Sequence, residues 1–170
     1  MIPTGSAELR LLSDSFYNTY DPSSCPEILQ KSNRAYNIAV FNSHKGYYVC
    51  VPFRSNITHK YAYRFKKSKR SKYNKSGVDY KKMIIIRNLD YIDDDNIAVI
   101  DKDEYIEFVQ NLTRIQSQAL SFLNEYIDYK TGKQNISEQE AKRRYEFSSL
   151  QYFHKELGLT SDSVFESTTG

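Results

Sequence analysis

The sequence predicts an α+β fold, with a compact antiparallel β-sheet or barrel core followed by C-terminal helices. Three observations carry this. From residue 35 to residue 100, apolar residues come in short β-rich runs separated by turn formers. After Asp101 the apolar spacing changes to three and four. The 170 residues, 39% of them apolar, supply one ordinary core and fall short of the about 250 that a (β/α)₈ barrel needs.

The elements follow in order. Residues 1–8 read as a leader- or tag-like segment outside the fold. In Leu9–Gln30, Ser13 is placed to cap a short helix through Phe16, Tyr17 and Tyr20, and Pro26 to open a further helical turn. Ala35–Phe41 and Tyr47–Phe53 form a hairpin about His44-Lys45-Gly46, with Pro52 marking an edge or a strand end. Tyr61–Phe65 alternates in character. Lys66–Gly77, basic and rich in Ser and Asn, reads as a flexible loop, and Lys82–Arg87 as a buried strand. Tyr91-Ile92 and Ile97–Ile100 are short apolar pieces around an acidic turn. Asp101 and Glu104 resemble a capping box at the head of one long helix. Its apolar stripe is Tyr105, Phe108, Val109, Leu112, Ile115, Ala119, Leu120, Leu123, Tyr126 and Ile127, and Thr131-Gly132 ends it. A second helix starts at Ser137 with Glu140 and stops near Gly158, with Tyr145, Phe153 and Leu157 facing inward. Residues 161–170 read as a disordered tail, and the whole chain as one domain without repeats or linker.

Several function classes lose support. There is no GxGxxG, GxxxxGK[ST] or HExxH pattern. Cys25 and Cys50 have no histidine at ligand spacing, so no metal and no cofactor is expected, and reduced thiols in the cytoplasm are the simpler reading. Apolar runs such as Met83–Ile86 are far short of a membrane span, and the N-terminus lacks a signal-peptide pattern.

Charge distribution is more informative than the net charge of +3. Ten cations lie between Lys60 and Lys82: Lys60, Arg64, Lys66, Lys67, Lys69, Arg70, Lys72, Lys75, Lys81 and Lys82, with Asp79 the one acid among them. An acidic stretch follows, comprising Asp90, Asp93, Asp94, Asp95, Asp101, Asp103, Glu104 and Glu107. Its plain reading is a solvated turn and a helix start that favours acids. The basic block points to a polyanionic partner.

Where the second hairpin strand ends, Arg54-Ser55-Asn56-Ile57-Thr58-His59-Lys60 gathers a guanidinium, hydroxyls, an amide, an imidazole and an ammonium. RNA cleavage by 2′-hydroxyl attack asks for such groups: proton transfer at two oxygens and cations on a charged transition state. Arg54 suits a non-bridging oxygen, His59 a proton transfer, Ser55 the orientation of hydroxyl or phosphate, and Lys60 a cation or proton donor. Lys45, Asn56, Tyr61, Tyr63, Arg64, Lys66, Lys67, Lys69, Arg70, Lys72, Lys75, Tyr80 and Lys81 are candidates for holding RNA, the tyrosines by stacking. Each has a plainer reading. Ser55-Asn56 is also a good turn, His59 and Arg54 are also ordinary surface residues, and the tyrosines are equally core residues.

The ordered series Phe16-Tyr17, Cys25-Pro26-Glu27-Ile28-Leu29, Ala35–Phe41, Tyr48–Ile57, His59–Tyr63 and Ser76–Ile86 resembles the endoribonuclease toxins of type III toxin–antitoxin systems. It is nearest the TenpIN branch, with ToxN and AbiQ more distant. The resemblance covers about residues 9 to 160. It implies a core of the Kid/MazF-like toxin type and metal-independent cleavage to a 2′,3′-cyclic phosphate and a 5′-hydroxyl. It also implies an RNA antitoxin, derived from a repeat, which the toxin processes and which inhibits it in a protein–RNA hetero-oligomer, with cellular or phage RNA as substrate. The family's strand-end serine matches Ser55. The preceding threonine of ToxN-like relatives is Arg54 here, and His59 and Lys60 match the later basic positions loosely. Two other classes stand beside this one: a non-catalytic RNA- or DNA-binding module, for which the basic block suffices, and a protein-partner module using the acidic helix start and tyrosines.

Overall fold

The computed structural model describes residues 2, 5–31 and 34–159. The elements are β1 (Glu8–Leu12), α1 (Asp14–Thr19), β2 (Gln30–Lys31), β3 (Arg34–Ala35), β4 (Asn37–Asn42), β5 (Tyr48–Arg54), β6 (Ala62–Arg64), α2 (Lys69–Asn74), β7 (Gly77–Asp79), β8 (Ile84–Ile86), β9 (Ile92–Asp93), α3 (Lys102–Gln110), α4 (Leu112–Lys130) and α5 (Glu138–Tyr145). This is a mixed α+β architecture with its longer helices at the C-terminal end.

Seven strands form one antiparallel sheet in the order β6-β7-β5-β4-β1-β9, with β8 also on β5. The sheet is open: β6 and β9 lie at its two ends and do not pair, so the barrel alternative is not met among the described residues. The expected hairpin is its centre, β4 against β5 with Ile38 opposite Pro52 and Asn42 opposite Tyr48. His44 (φ 63°) and Gly46 (φ 83°) turn it through left-handed backbone.

Pro52 is not at an edge. β5 pairs along its other side with β8 at residues 48–50 and with β7 at residues 53–54. Pro52 stands in the gap between these two partners, where its missing N–H leaves no ladder bond unmade. Met83, Ile84, Ile85 and Ile86 are buried as the run predicts. β1 is an element that the sequence pattern does not announce, and it takes in Glu8 of the segment expected to lie outside the fold. Ile2 is buried and Gln116 Nε2 donates to Ser6 O.

Ser13 Oγ accepts from Phe16 N at the start of α1, as expected, but Pro26 opens a turn rather than a helix. The long helix is two. At Asn111 (φ −114°, ψ 17°) the backbone N–H and the side-chain Nδ2 both donate to Glu107 O, and the local bonding breaks the regular ladder between α3 and α4. On α4 the stripe holds, with Ile115, Ala119, Leu123 and Tyr126 buried. On α3 it inverts: Glu104 and Glu107 face inward beside Phe108, while Tyr105, Ile106 and Val109 are exposed. Asp101 is the N-cap residue but makes no side-chain cap bond, so the capping box does not form. Ser137 Oγ does cap α5, which stops at Tyr145 rather than near Gly158. Phe153 and Leu157 pack from the segment beyond it. Residues 161–170 lie outside the described residues. No helix among the described residues is long and apolar enough to cross a membrane.

Candidate nucleic-acid interface

The site grows from the end of β5. There the ladder to β7 pairs Phe53 with Val78 and Arg54 with Gly77, which sets Asp79 beside the guanidinium. Gly77 is obligatory for this approach, since a Cβ on it would meet Tyr63 O at 2.2 Å. The Asp79 side chain is fully buried and is the hub of the corner. Arg54 Nη1 donates to Oδ2 at 3.0 Å, Lys81 N donates to Oδ1 at 2.9 Å, and His59 Nε2 lies 3.1 Å from Oδ1 and 3.2 Å from Oδ2. A buried carboxylate needs such donors, because leaving it unpaired costs several kcal/mol.

The same bonds fix the chemistry of His59. Its Nδ1 accepts the Tyr61 backbone N–H at 3.1 Å, so the ring proton sits on Nε2 and points to Asp79. Both ring nitrogens are engaged. To take a proton at Nδ1, His59 must release the Tyr61 N–H. In this arrangement the ring, with Asp79, holds the Arg54 corner.

Arg54 commits Nε to Ser55 O (3.4 Å) and one Nη1 hydrogen to Asp79. Its remaining N–H groups are uncommitted on a side chain that is 25% exposed. Ser55 is half-buried and its hydroxyl bonds to nothing among the described residues. Asn56 enters the site through its backbone: it adopts φ 60°, and Ile57 N donates to Lys75 O at 3.2 Å. Lys60 is exposed, with Nζ 5.6 Å above the Tyr61 ring. Tyr61 also stacks on His59 and packs on Phe122, and its buried hydroxyl has no hydrogen-bond partner among the described residues.

The segment expected to be a flexible loop is instead held in place. Glu107, buried, receives Lys66 N (3.0 Å), Lys67 N (2.9 Å) and Tyr63 OH (2.9 Å). Asp103 receives Lys69 N, and Glu104 pairs with Arg70 Nε at 3.2 Å. Burial raises the Glu104 carboxyl above its ordinary value, against the pull of Arg70. Ser68 Oγ caps α2 by accepting Ser71 N. The acidic inner face of α3 is thus the seat of the basic segment, which joins the two opposite charge blocks of the sequence.

The structure sorts the candidates. It brings Arg54, His59 and Asp79 into contact, with Ser55, Lys60 and Tyr61 adjoining in the chain. Lys66, Lys67, Lys69, Lys72 and Lys75 are exposed and their side chains make no ion pair among the described residues; Arg64 is exposed and donates to His59 O. Several candidates fall out. Tyr63 and Tyr80 are buried, their hydroxyls on Glu107 and Gln118, and cannot stack on bases. Lys81 is buried, donating to Arg143 O at the C-terminal end of α5, where the helix leaves carbonyls without partners. Lys82, a member of the basic block outside the RNA candidates, is taken by Glu27 and Phe147 O. Arg70 is not lost in this way: it pairs with Glu104 through Nε on a side chain that is 38% exposed. Lys45 sits in the hairpin turn at the opposite end of β5 from Arg54, about 20 Å along the strand.

Sequence reasoning misses Asp79 and Glu107 as site residues. A signal for Asp79 exists, as the lone acid in a run of ten cations. No three His, Cys, Asp or Glu side chains are grouped closely enough to hold a metal ion among the described residues. No protein-family model, no curated protein and no solved structure matches the chain.

Proposed function

We propose that the chain is a metal-independent endoribonuclease of the toxin type, acting from the corner at the end of β5. The observation that supports it most is the anchoring of Arg54 and His59 on buried Asp79 next to the Ser55 hydroxyl, which has no partner among the described residues. A guanidinium held in place by a carboxylate, with N–H groups to spare, is preorganised for a non-bridging phosphate oxygen. In this reading O2′ attacks the adjacent phosphorus, the P–O2′ bond forms as the P–O5′ bond breaks, a water molecule takes the proton from O2′, and the Lys60 ammonium gives one to O5′ and is reprotonated from solvent. Arg54 holds the phosphate. Ser55 orients the attacking hydroxyl. Lys60 stands by as cation and proton donor. His59 and Asp79 position Arg54.

The reading carries with it a core related to the Kid/MazF-like toxins and a cytoplasmic protein. It also carries an RNA antitoxin bound as a protein–RNA hetero-oligomer, and a role in phage defence. The test is incubation of purified chain with RNA in EDTA, with analysis of the product ends. Wild type should give 2′,3′-cyclic phosphate ends, and Ser55→Ala and Arg54→Ala should each lose about a hundredfold or more, on the order of a removed transition-state donor. Wild type that leaves RNA intact sinks the reading.

One observation favours a second reading, a non-catalytic RNA-binding module. Both nitrogens of His59 are already bonded, while five lysines of the Lys66–Lys75 segment are open. It expects tight, salt-sensitive RNA binding and no cleavage product.

A further inference from the structure

Helix α2 presents an unusual surface. Lys69, Lys72 and Tyr73 stand at positions i, i+3 and i+4, so they share one face of the helix. All three are exposed, and Tyr73 is 84% exposed, close to the most open of the large apolar side chains. Arg70, on the opposite side, turns in to Glu104. The helix has no acid in its first turn, and two cations stand there against the helix dipole. Neither feature helps the fold. A surface that combines uncompensated lysines with a naked aromatic ring suits a flexible polyanion whose own rings are free to stack.

The helix is fixed at both ends. Glu107 holds the approach through Lys66 N and Lys67 N, and Ser68 caps the start. At the far end, the carbonyls of Asn74 and Lys75 accept the N–H groups of Asn56 and Ile57. These last bonds tie α2 directly to the turn that carries Ser55.

We propose that α2 is a binding platform for single-stranded RNA, with one unpaired base stacked on the Tyr73 ring and flanking phosphates on Lys69, Lys72 and Lys75. The strand then runs toward the Ser55 turn. A duplex keeps its bases inside the helix and cannot offer a face to Tyr73, so the platform selects unpaired segments. The inference shares with the nuclease reading only the premise that RNA is the partner.

The chain has no tryptophan, so Tyr73→Trp installs a unique fluorophore on an open surface position. The probe is a 2′-O-methyl RNA oligonucleotide of about a dozen residues, within the span that single-strand binding sites cover. It has no attacking hydroxyl and reads binding whether or not the protein cleaves. Its comparison is the same sequence within a blunt, fully paired duplex several times longer, so that few base faces are open. The expected result is quenching of the introduced indole's emission by the single strand and not by the duplex. In anisotropy, Tyr73→Ala should bind the single strand roughly five- to a hundredfold more weakly, the range of one lost stacking contact, and Tyr73→Phe should bind as wild type. Equal quenching by both forms, no quenching at all, or unchanged affinity in Tyr73→Ala overturns the proposal. Quenching in a protein that cleaves no RNA leaves the platform standing and removes the nuclease.

Discussion

Lys72 and Lys81 belong to one basic run and have opposite surroundings. Lys72 lies on the outside of α2, exposed and without an ion pair among the described residues. Lys81 is 7% exposed, its backbone N–H on Asp79, its ammonium on a carbonyl of α5 and 5.7 Å above the Tyr61 ring. The same division runs through the block and the arginine just before it: Arg54, Arg70, Lys81 and Lys82 are keyed into the fold by Asp79, Glu104, Arg143 O and Glu27, while the side chains of the lysines from Lys66 to Lys75 make no ion pair among the described residues. A run of like charge is therefore two things at once. Part of it is internal mortar, and part is a surface offered to something else.

The sharpest test of the keyed half is its hub. Asp79→Ala strips the partner from Arg54, His59 and the Lys81 N–H together, inside the protein. Removing one member of a buried ion pair costs about 3–5 kcal/mol. For a chain of this size that lowers the melting temperature by roughly 10 °C, read by calorimetry or circular dichroism. Asp79→Asn keeps the shape and one acceptor oxygen and should lose less. An Asp79→Ala protein that melts with wild type would mean that the corner is not held by this carboxylate.

How much of this arrangement is legible in the sequence depends on whether the deciding partner is local. The β4–β5 hairpin and β8 announce themselves, because alternation, a Gly-containing turn and an unbroken Met83–Ile86 run are properties of adjacent residues. So do the serine caps at Ser13 and Ser137. α2 is hidden. Its Lys, Ser and Asn composition argues for a loop, and what orders it is Glu107 and Glu104, some forty and thirty-four residues away in the chain. The inward turn of those two acids also explains why Tyr105 and Val109, expected in a buried stripe, are exposed. At the site, the grouping of Arg54, Ser55, His59 and Lys60 is visible as a cluster of functional types. The locking of His59 is not, because one of its two partners is a backbone N–H, which no residue pattern reports.

Lys81 gives the comparison a pH dependence. Burial holds its ammonium below the ordinary lysine value, with Lys82 adding to the effect and Asp79 opposing it. The folded protein thus binds this proton less tightly than the unfolded chain does. Lys81's contribution to stability is present in full above 10.5, the unfolded value, and is lost as pH falls through the lower folded value. Raising the pH through the alkaline range should therefore stabilise the fold at this position. Buried tyrosines oppose it: Tyr17 and Tyr63 are each pushed up to about 12, chiefly by burial, and cost stability once the unfolded chain ionises. The clean reading is a difference. Wild type should gain stability over Lys81→Met as pH rises toward 10.5 in urea titrations, and Lys72→Met should show no such divergence from wild type. Parallel curves for Lys81→Met and wild type would place Lys81 with the open lysines.

The smallest effect on the fold belongs to the open half. Lys66→Ala and Lys72→Ala remove exposed cations whose side chains make no ion pair among the described residues, so each should move stability by no more than about 0.5 kcal/mol. If these lysines meet phosphates, the cost appears in binding instead. Each substitution should lower the slope of log K against log salt by roughly 0.7 to 1 for a single-stranded RNA, since each phosphate contact releases about one counterion. Lys81→Met, with its ammonium committed inside, should leave that slope where it is. A loss of stability in Lys72→Ala, or an equal fall in slope for Lys81→Met, would erase the boundary between the two halves of the run and with it the argument that the exposed lysines are kept free for a polyanion.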